Sequence, residues 1–387
     1  MRSLLDMASE EPTKSEMQRG VTALVPFVSE WRLPLNPEEL EEMAWAVLVH
    51  ARSEETVAWI DDAVRTQLAR YREAHNRMLD AWRRSVDDSL PFFAYGALKP
   101  GELAYEQIEH FVSSVVPAST AGVLVLRDGL PVLRDGSGEV EGYLLTFTEA
   151  GRDAAWATVC SFEPRSQYFW KPMQVEAGGH TLSANLLMGK SPDKGSAGDP
   201  VASWSTANDP LFSEGLTATR KMAAEIAATG VSSAPDGPVI WDTFFRLQAT
   251  YLLLWSVVER YTSLRFGPTL DPWPRVTKLD EDPIFRAAAS STPWPTRAVY
   301  DSRDPRSKIS VGADGTHAAK FAYQVRSNLS HRGKGVGNDA SLVLESLIGL
   351  HDSMREVLLS QVPQIRARWQ ELDPEAENCQ WRIRSSR

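Results

Sequence analysis

Arg326 and His331 stand five residues apart in Tyr323-Gln-Val-Arg-Ser-Asn-Leu-Ser-His-Arg-Gly-Lys334, on the closing turns of an expected helix and just before a glycine break. Arginine is a permanent cation, whereas histidine titrates near neutral pH. Such a pair suits the cutting of a phosphodiester, because the imidazole moves protons while the guanidinium holds the charged phosphate. Asn328 and Ser330 add hydrogen-bonding groups to the same turn, and Arg332 and Lys334 add positive charge beside it. The plainer reading is a histidine that complements the negative end of a helix dipole. Five residues of helix rotate a side chain by about 140°, so the two groups do not share one face. They converge on a frayed turn or across a twofold partner.

A second candidate is Phe93-Ala-Tyr-Gly-Ala-Leu-Lys-Pro-Gly101. A strand ending in Tyr95-Gly96 and followed by a tight loop leaves backbone N–H groups free to receive a carboxylate. Glycine at 96 lets a ligand approach the backbone closely. The plain alternative is an ordinary strand-to-turn exit.

These segments need elements to position them. At 387 residues, with 43% hydrophobic and 24% charged residues, the chain has room for two or three ordinary domains. Asn36-Pro37-Glu38-Glu39 and Ser53-Glu54-Glu55 read as helix starts. From Val57 to Trp82 apolar residues recur at helical spacing, with arginines between them. At Pro91 the pattern changes to short strands: Phe92–Gly96, Ala121–Leu126, Val140–Phe147, Gln167–Glu176 and Thr181–Met188. They are separated by Arg-Asp-Gly, Gly-Ser-Gly and Ala-Gly-Gly turns. One helix is expected around Glu214–Ala228, between two loops rich in Gly, Ser and Pro. From Val239 the chain turns helical. Ile240–Arg265 is apolar almost all round its middle, a loop runs from Gly267 to about Asp314, and helices follow at Thr316–His331 and Asp339–Ser360. The fold class is therefore α+β and multidomain. Residues 1–90 form an N-terminal helical region, 91–190 a small β-barrel, 191–237 a linker with one helix, and 238–387 an all-α bundle.

Charge and cysteine content narrow the setting. Residues 1–237 hold 21 Lys+Arg against 34 Asp+Glu, and residues 238–387 hold 20 against 17, so the back half tolerates a polyanion better. Two cysteines, Cys160 and Cys379, offer neither a disulfide framework nor a zinc set, which points to a reducing cytoplasm. The opening Met-Arg-Ser-Leu-Leu-Asp-Met reaches an acid too soon for a secretory leader. The apolar run Ala249–Val258 is too short to span a bilayer. No metal, cofactor or membrane association is expected.

Tyr323 to Gly335, with its Arg326 and His331, resembles the signature of HEPN domains, and Trp255-Ser-Val-Val-Glu-Arg-Tyr261 resembles their first long helix. The resemblance spans about 238–360. It implies a metal-independent endoribonuclease, a toxin or antiphage effector, whose site forms across a homodimer. In that reading His331 is the general acid or base, Arg326 holds the phosphate, Asn328 positions the turn, and Arg332 and Lys334 contact RNA. Glu259 would orient the basic groups, and an inhibitor or antitoxin protein is a possible partner.

The Tyr95-Gly-Ala-Leu98 loop, Val159-Cys-Ser-Phe-Glu163 and Tyr168-Phe-Trp-Lys-Pro-Met-Gln-Val175 resemble the gamma-glutamylcyclotransferase and AIG2-like group over about 92–190. This implies a small β-barrel in which Glu163 moves a proton while a gamma-glutamyl amine cyclises. Tyr95, Gly96, Ala97 and Leu98 would cradle the substrate. Three positions depart from the family pattern: Ala97 replaces a hydroxyl residue, Trp170 stands where arginine is usual, and Cys160 stands where aspartate is expected. The leading expectation is the ribonuclease, with the barrel as a sensor. The alternatives are a gamma-glutamylamine cyclotransferase with the bundle as dimerising scaffold, and a non-catalytic interaction protein.

Overall fold

The computed structural model describes residues 80–163, 167–190, 200–229, 241–300, 306–332 and 339–374. The expected helices before residue 80 and the Gly333–Gly337 break lie outside the described residues. So do Lys334, Cys379 and the side chains of His331 and Arg332.

The β region holds five strands: β1 (Phe92–Ala94), β2 (Val112–Arg127), β3 (Leu130–Phe147), β4 (Tyr168–Ala177) and β5 (His180–Gly189). Helix α1 (Arg152–Phe162) sits between β3 and β4. The strand order is β1-β3-β2-β4-β5. The outer strands meet in parallel at a single registered pair, Phe92↔Asn185. The region is thus a five-stranded sheet rolled on itself, and most of its hydrogen bonding lies in two antiparallel hairpins.

Two strands are longer than their apolar runs suggest. β2 begins at Val112, and β3 runs through Gly136-Ser-Gly138, where a turn was expected. The register jumps there from Val123↔Arg134 to Ala121↔Glu139, so the glycines form a bulge within the strand. The Asp128-Gly129 turn behaves as expected. Both residues have positive φ, 52° and 80°, which a two-residue hairpin turn requires.

Inside the sheet Phe93, Leu124, Leu133, Leu145 and Leu186 are buried. Trp156 of α1 stands edge-on to Phe92, Phe147 and Trp170 at centroid distances of 5.7, 5.2 and 5.4 Å. This cluster fixes the helix, and therefore its final turn, against the strands.

The remaining elements are mainly helical: α2 (Leu216–Ala228), α3 (Trp241–Phe266), α4 (Pro272–Glu281), α5 (Pro283–Ser290), α6 (Ala318–Arg332), α7 (Ala340–Gln361) and α8 (Ile365–Leu372). α3 packs against α2, α4, α6 and α7, the central place its apolar circumference demands. Its Tyr251 hydroxyl lies 3.1 Å from the Ala322 carbonyl and 2.9 Å from Ser346 Oγ, linking three helices at one buried point.

The stretch after Gly267 is not a plain loop. It folds into α4, α5 and a two-stranded ribbon, β6 (Val299–Tyr300) with β7 (Lys308–Ile309), so the region is not purely α. The sequence carries the helix starts as Asp271-Pro272 and Asp282-Pro283, an acceptor followed by proline at the first helical position. Asp282 accepts from the N–H groups of Ile284 and Phe285 at 2.7 and 3.2 Å.

Part of the expected linker is tied to the sheet. Val201 N–H donates to the Leu124 carbonyl at 2.8 Å. Trp204 is 1% exposed and donates from Nε1 to the Gly129 carbonyl at 2.9 Å. Thr206 donates from its N–H and its hydroxyl to Glu102 at 2.7 and 2.6 Å. Trp204→Ala is expected to cost about 3–5 kcal/mol through the cavity it leaves. Urea unfolding monitored by circular dichroism measures this, and a loss below about 1 kcal/mol contradicts the assigned burial.

Candidate active site

The Tyr95-Gly96-Ala97-Leu98 loop leaves the end of β1 and turns sharply. Lys99 N–H bonds back to the Gly96 carbonyl at 3.0 Å, and Ala104 N–H bonds to the Ala97 carbonyl at 3.2 Å. A Cβ on Gly96 would meet Pro131 at 2.8 Å, so only glycine lets the loop lie this close to β3. Among the described residues the N–H groups of Ala97 and Leu98 have no hydrogen-bond partner. That leaves two adjacent donors of the kind a carboxylate or carbonyl oxygen accepts.

The loop is anchored from below. The Lys99 ammonium is buried and donates to the Trp204 carbonyl, and Glu102 receives Thr206. Burial lowers the Lys99 pKa, while Glu102 and Glu141 oppose that shift.

Glu163 is the residue at which α1 ends, its N–H still bonded to the Val159 carbonyl at 3.0 Å. The residue as a whole keeps partial exposure, but its carboxyl is surrounded by protein. Desolvation raises its pKa to about 7, and the Arg127 guanidinium pulls in the opposite direction.

Tyr95 and Tyr168 are both close enough to feel the Glu163 charge. Burial is the first cause for both; Tyr168 and then the Glu163 charge push Tyr95 further above its ordinary value, and the Glu163 charge does the same for Tyr168. Both therefore stay protonated. Tyr95 donates to the Leu187 carbonyl at 2.6 Å, and Tyr168 points to the Pro131 carbonyl at 3.4 Å. Arg127, at the end of β2, lies 5.3 Å from the Tyr168 ring centre and donates to Gln167 Oε1 at 2.7 Å.

The structure thus brings Tyr95 and Glu163, far apart in sequence, into one electrostatic cluster and adds Arg127 and Tyr168, which sequence reasoning did not nominate. Trp170, in the place of the family's arginine, is spent on the aromatic cluster with Phe92 and Trp156. The cation that acts on Glu163 is Arg127, at the end of β2. Its only sequence signal is an arginine directly before the Asp-Gly turn. Cys160 is buried one turn before Glu163.

The other nominated residues separate. Arg326 reaches toward α3, where its Nη2 lies 3.9 Å from Glu259 Oε1. Glu259 also accepts from the Trp255 indole at 2.7 Å. Arg275 of α4 is close enough to feel the Glu259 charge, although burial lowers its own pKa. Asn328, two residues further along α6, donates to the Tyr300 carbonyl at 2.8 Å and accepts from Gln324 at 3.0 Å. It holds the β6 strand rather than joining Arg326. Two residues are about 200° of helix rotation, which accounts for the divergence.

Comparison with known proteins bears on the first cluster. The family model described as gamma-glutamyl cyclotransferase, AIG2-like, matches residues 92–206. The chain therefore carries a domain of this class, reaching past the expected end at 190 to include the segment that buries Trp204. A crystal structure of an AIG2-like protein from Mus musculus is 16% identical and covers 30% of this chain and 88% of that one, at a TM-score of 0.25. No curated protein matches the chain. The HEPN resemblance gains nothing from these comparisons. Among the described residues no helix is long and apolar enough to cross a membrane.

The raised pKa of Glu163 makes a prediction about stability. Between the ordinary carboxylate value and about 7, the unfolded chain has released this proton while the folded chain keeps it. Folding stability therefore falls as pH rises through that window. Glu163→Gln removes the penalty. Its advantage over wild type is expected to be absent near pH 4 and to reach up to about 3 kcal/mol at pH 8. Thermal unfolding at the two pH values measures it, and an equal difference at both contradicts the burial of a titrating carboxyl.

Proposed function

We propose that the chain is a gamma-glutamylamine cyclotransferase-like enzyme with Glu163 as its proton-transfer group. The observation that carries this reading is a protein-enclosed carboxyl with a pKa of about 7, near enough to act on Tyr95 at the start of a loop whose Ala97 and Leu98 N–H groups have no partner among the described residues. A group poised near neutral pH both accepts and returns a proton without a large penalty.

In the reaction the α-amine of the gamma-glutamyl group attacks its own side-chain amide carbon. A new C–N bond closes the five-membered lactam, and the bond to the outgoing amine breaks. Glu163 takes the proton released by the attacking nitrogen and gives it to the departing nitrogen, so no proton is gained or lost overall. The Ala97 and Leu98 N–H groups would hold the oxygen on which charge develops. Arg127 keeps enough of the Glu163 population ionised to act as base. The neutral Tyr95 and Tyr168 stand near Glu163 without competing for the proton.

Release of 5-oxoproline from gamma-glutamyl amines tests this. Glu163→Gln is expected to lower kcat by about 10²–10⁴. Because the ionised carboxylate is the competent form, kcat/KM is expected to rise with pH to a plateau, with a midpoint near 7 that disappears in the Gln variant. Turnover unaffected by Glu163→Gln rules this role out.

A second reading, metal-independent RNA cleavage across a homodimer at the end of α6, has one observation in its favour. The Arg326 guanidinium lies beside Glu259, with Arg275 close by, and its buried Nε has no hydrogen-bond partner among the described residues. That leaves donor capacity for a phosphate oxygen. Expression of the wild type is then expected to slow growth and His331→Ala to relieve it. Equal growth of the two strains removes this reading.

A further inference from the structure

Away from the sheet, α3, α6, α7 and the β6 strand border a cavity of about 470 Å³. Its apolar walls are Phe244 of α3, Val299 of β6, Val325 and Leu329 of α6, and Leu342 and Val343 of α7, each 6% exposed or less. That volume lies within the range of about 300–1,000 Å³ that small-molecule sites occupy. The β6 wall is pinned from two sides. Asn328 of α6 donates to the Tyr300 carbonyl at 2.8 Å, and Val299 pairs with Ile309 of β7.

Two opposite charges border the same cavity, Arg297 and Asp339. Arg297 Nη1 lies 3.8 Å from Asp339 Oδ1, and the two side chains are 54% and 53% exposed. The separation is longer than a hydrogen bond, and an exposed pair of this kind adds little stability. Asp339 directly precedes α7, yet its carboxylate caps none of the helix N–H groups. Among the described residues neither side chain makes a hydrogen bond. Both are therefore available to a ligand at small cost to the fold.

We propose that this cavity binds a free α-amino acid with a large apolar side chain, its carboxylate on Arg297 and its ammonium on Asp339. The charges and the walls together select the class. An apolar acid without an amine meets the like charge of Asp339, and an apolar amine without a carboxylate meets that of Arg297. A zwitterion carries both charges on one carbon and offers each side chain its opposite. One long ion pair then gives way to two charge-assisted hydrogen bonds. The apolar side chain leaves water for the walls between Phe244 and Val343, which supplies the non-directional part of the affinity. The inference does not rest on the reading of Glu163 or of Arg326, since neither Arg297, Asp339 nor any of the six wall residues belongs to those clusters.

The test is isothermal titration calorimetry of the full chain with L-phenylalanine as the probe. Saturable binding is expected, with a Kd of about 10–1,000 µM. 3-Phenylpropionate lacks the amine and phenethylamine lacks the carboxylate, and each should bind about tenfold or more weakly. Glycine, which lacks the apolar side chain, should give no saturable heat. Arg297→Gln and Asp339→Asn should each weaken L-phenylalanine by about tenfold. Asp339→Asn should leave 3-phenylpropionate no weaker, and Arg297→Gln should leave phenethylamine no weaker, because each analogue already lacks the charge that the altered side chain would meet. Val343→Phe fills the cavity and should abolish binding; should it fail to fold, the two exposed charge variants decide the matter. No saturable heat from L-phenylalanine at about 10 mM overturns the proposal. So does an equal affinity for either single-charge analogue or for glycine, or an affinity unchanged in both charge variants.

Discussion

Enclosing the Glu163 carboxyl in protein is the constraint from which the properties of this cluster follow. Removal from water favours the neutral acid, and one guanidinium opposes it. The balance leaves a group that changes state near pH 7. A solvent-exposed carboxylate would be ionised throughout, whereas burial favours the acid and Arg127 limits that rise. The two neutral phenols suit this balance, because they line the site without adding charge.

Holding that balance requires rigid supports on several sides. α1 ends at Glu163 and is fixed by Trp156 in its aromatic cluster. The Tyr95 loop is fixed by Gly96 against Pro131 and by the bonds to Trp204 and Thr206. The β2–β3 turn is fixed by Trp204 and Arg260. Two of these supports lie outside the strands altogether. The segment around Trp204 and the long helix α3 therefore bond directly to the rolled sheet, rather than being a spacer and a separate body.

Much of this was legible in the sequence. Alternating apolar runs placed the five strands, and the Asp128-Gly129 turn followed from residues that tolerate positive φ. The all-round apolar surface of the segment after Val239 placed α3 at the centre of the helices. Tyr95 and Glu163 were found through motif resemblance. What escaped were features without local periodicity. Arg127 reaches Glu163 across a hairpin, and Trp204 buries itself from an irregular segment. The bulge at Gly136 and Gly138 looked like a turn because glycine serves both. α4 and α5 were hidden by prolines, although Asp-Pro at each start marks a helix as readily as a break. At α6, spacing alone put Arg326 and Asn328 on one turn. Helix geometry sends them to Glu259 and Tyr300 instead.

The most direct measurement is a crystal structure of the chain soaked with 5-oxoproline, the lactam product. The account predicts the ligand at the end of β1, with an oxygen on the N–H groups of Ala97 and Leu98 and the ring nitrogen within about 2.6–3.2 Å of a Glu163 oxygen. A lactam bound there with its nitrogen turned away from Glu163, or a pocket that stays empty at saturating ligand, contradicts it.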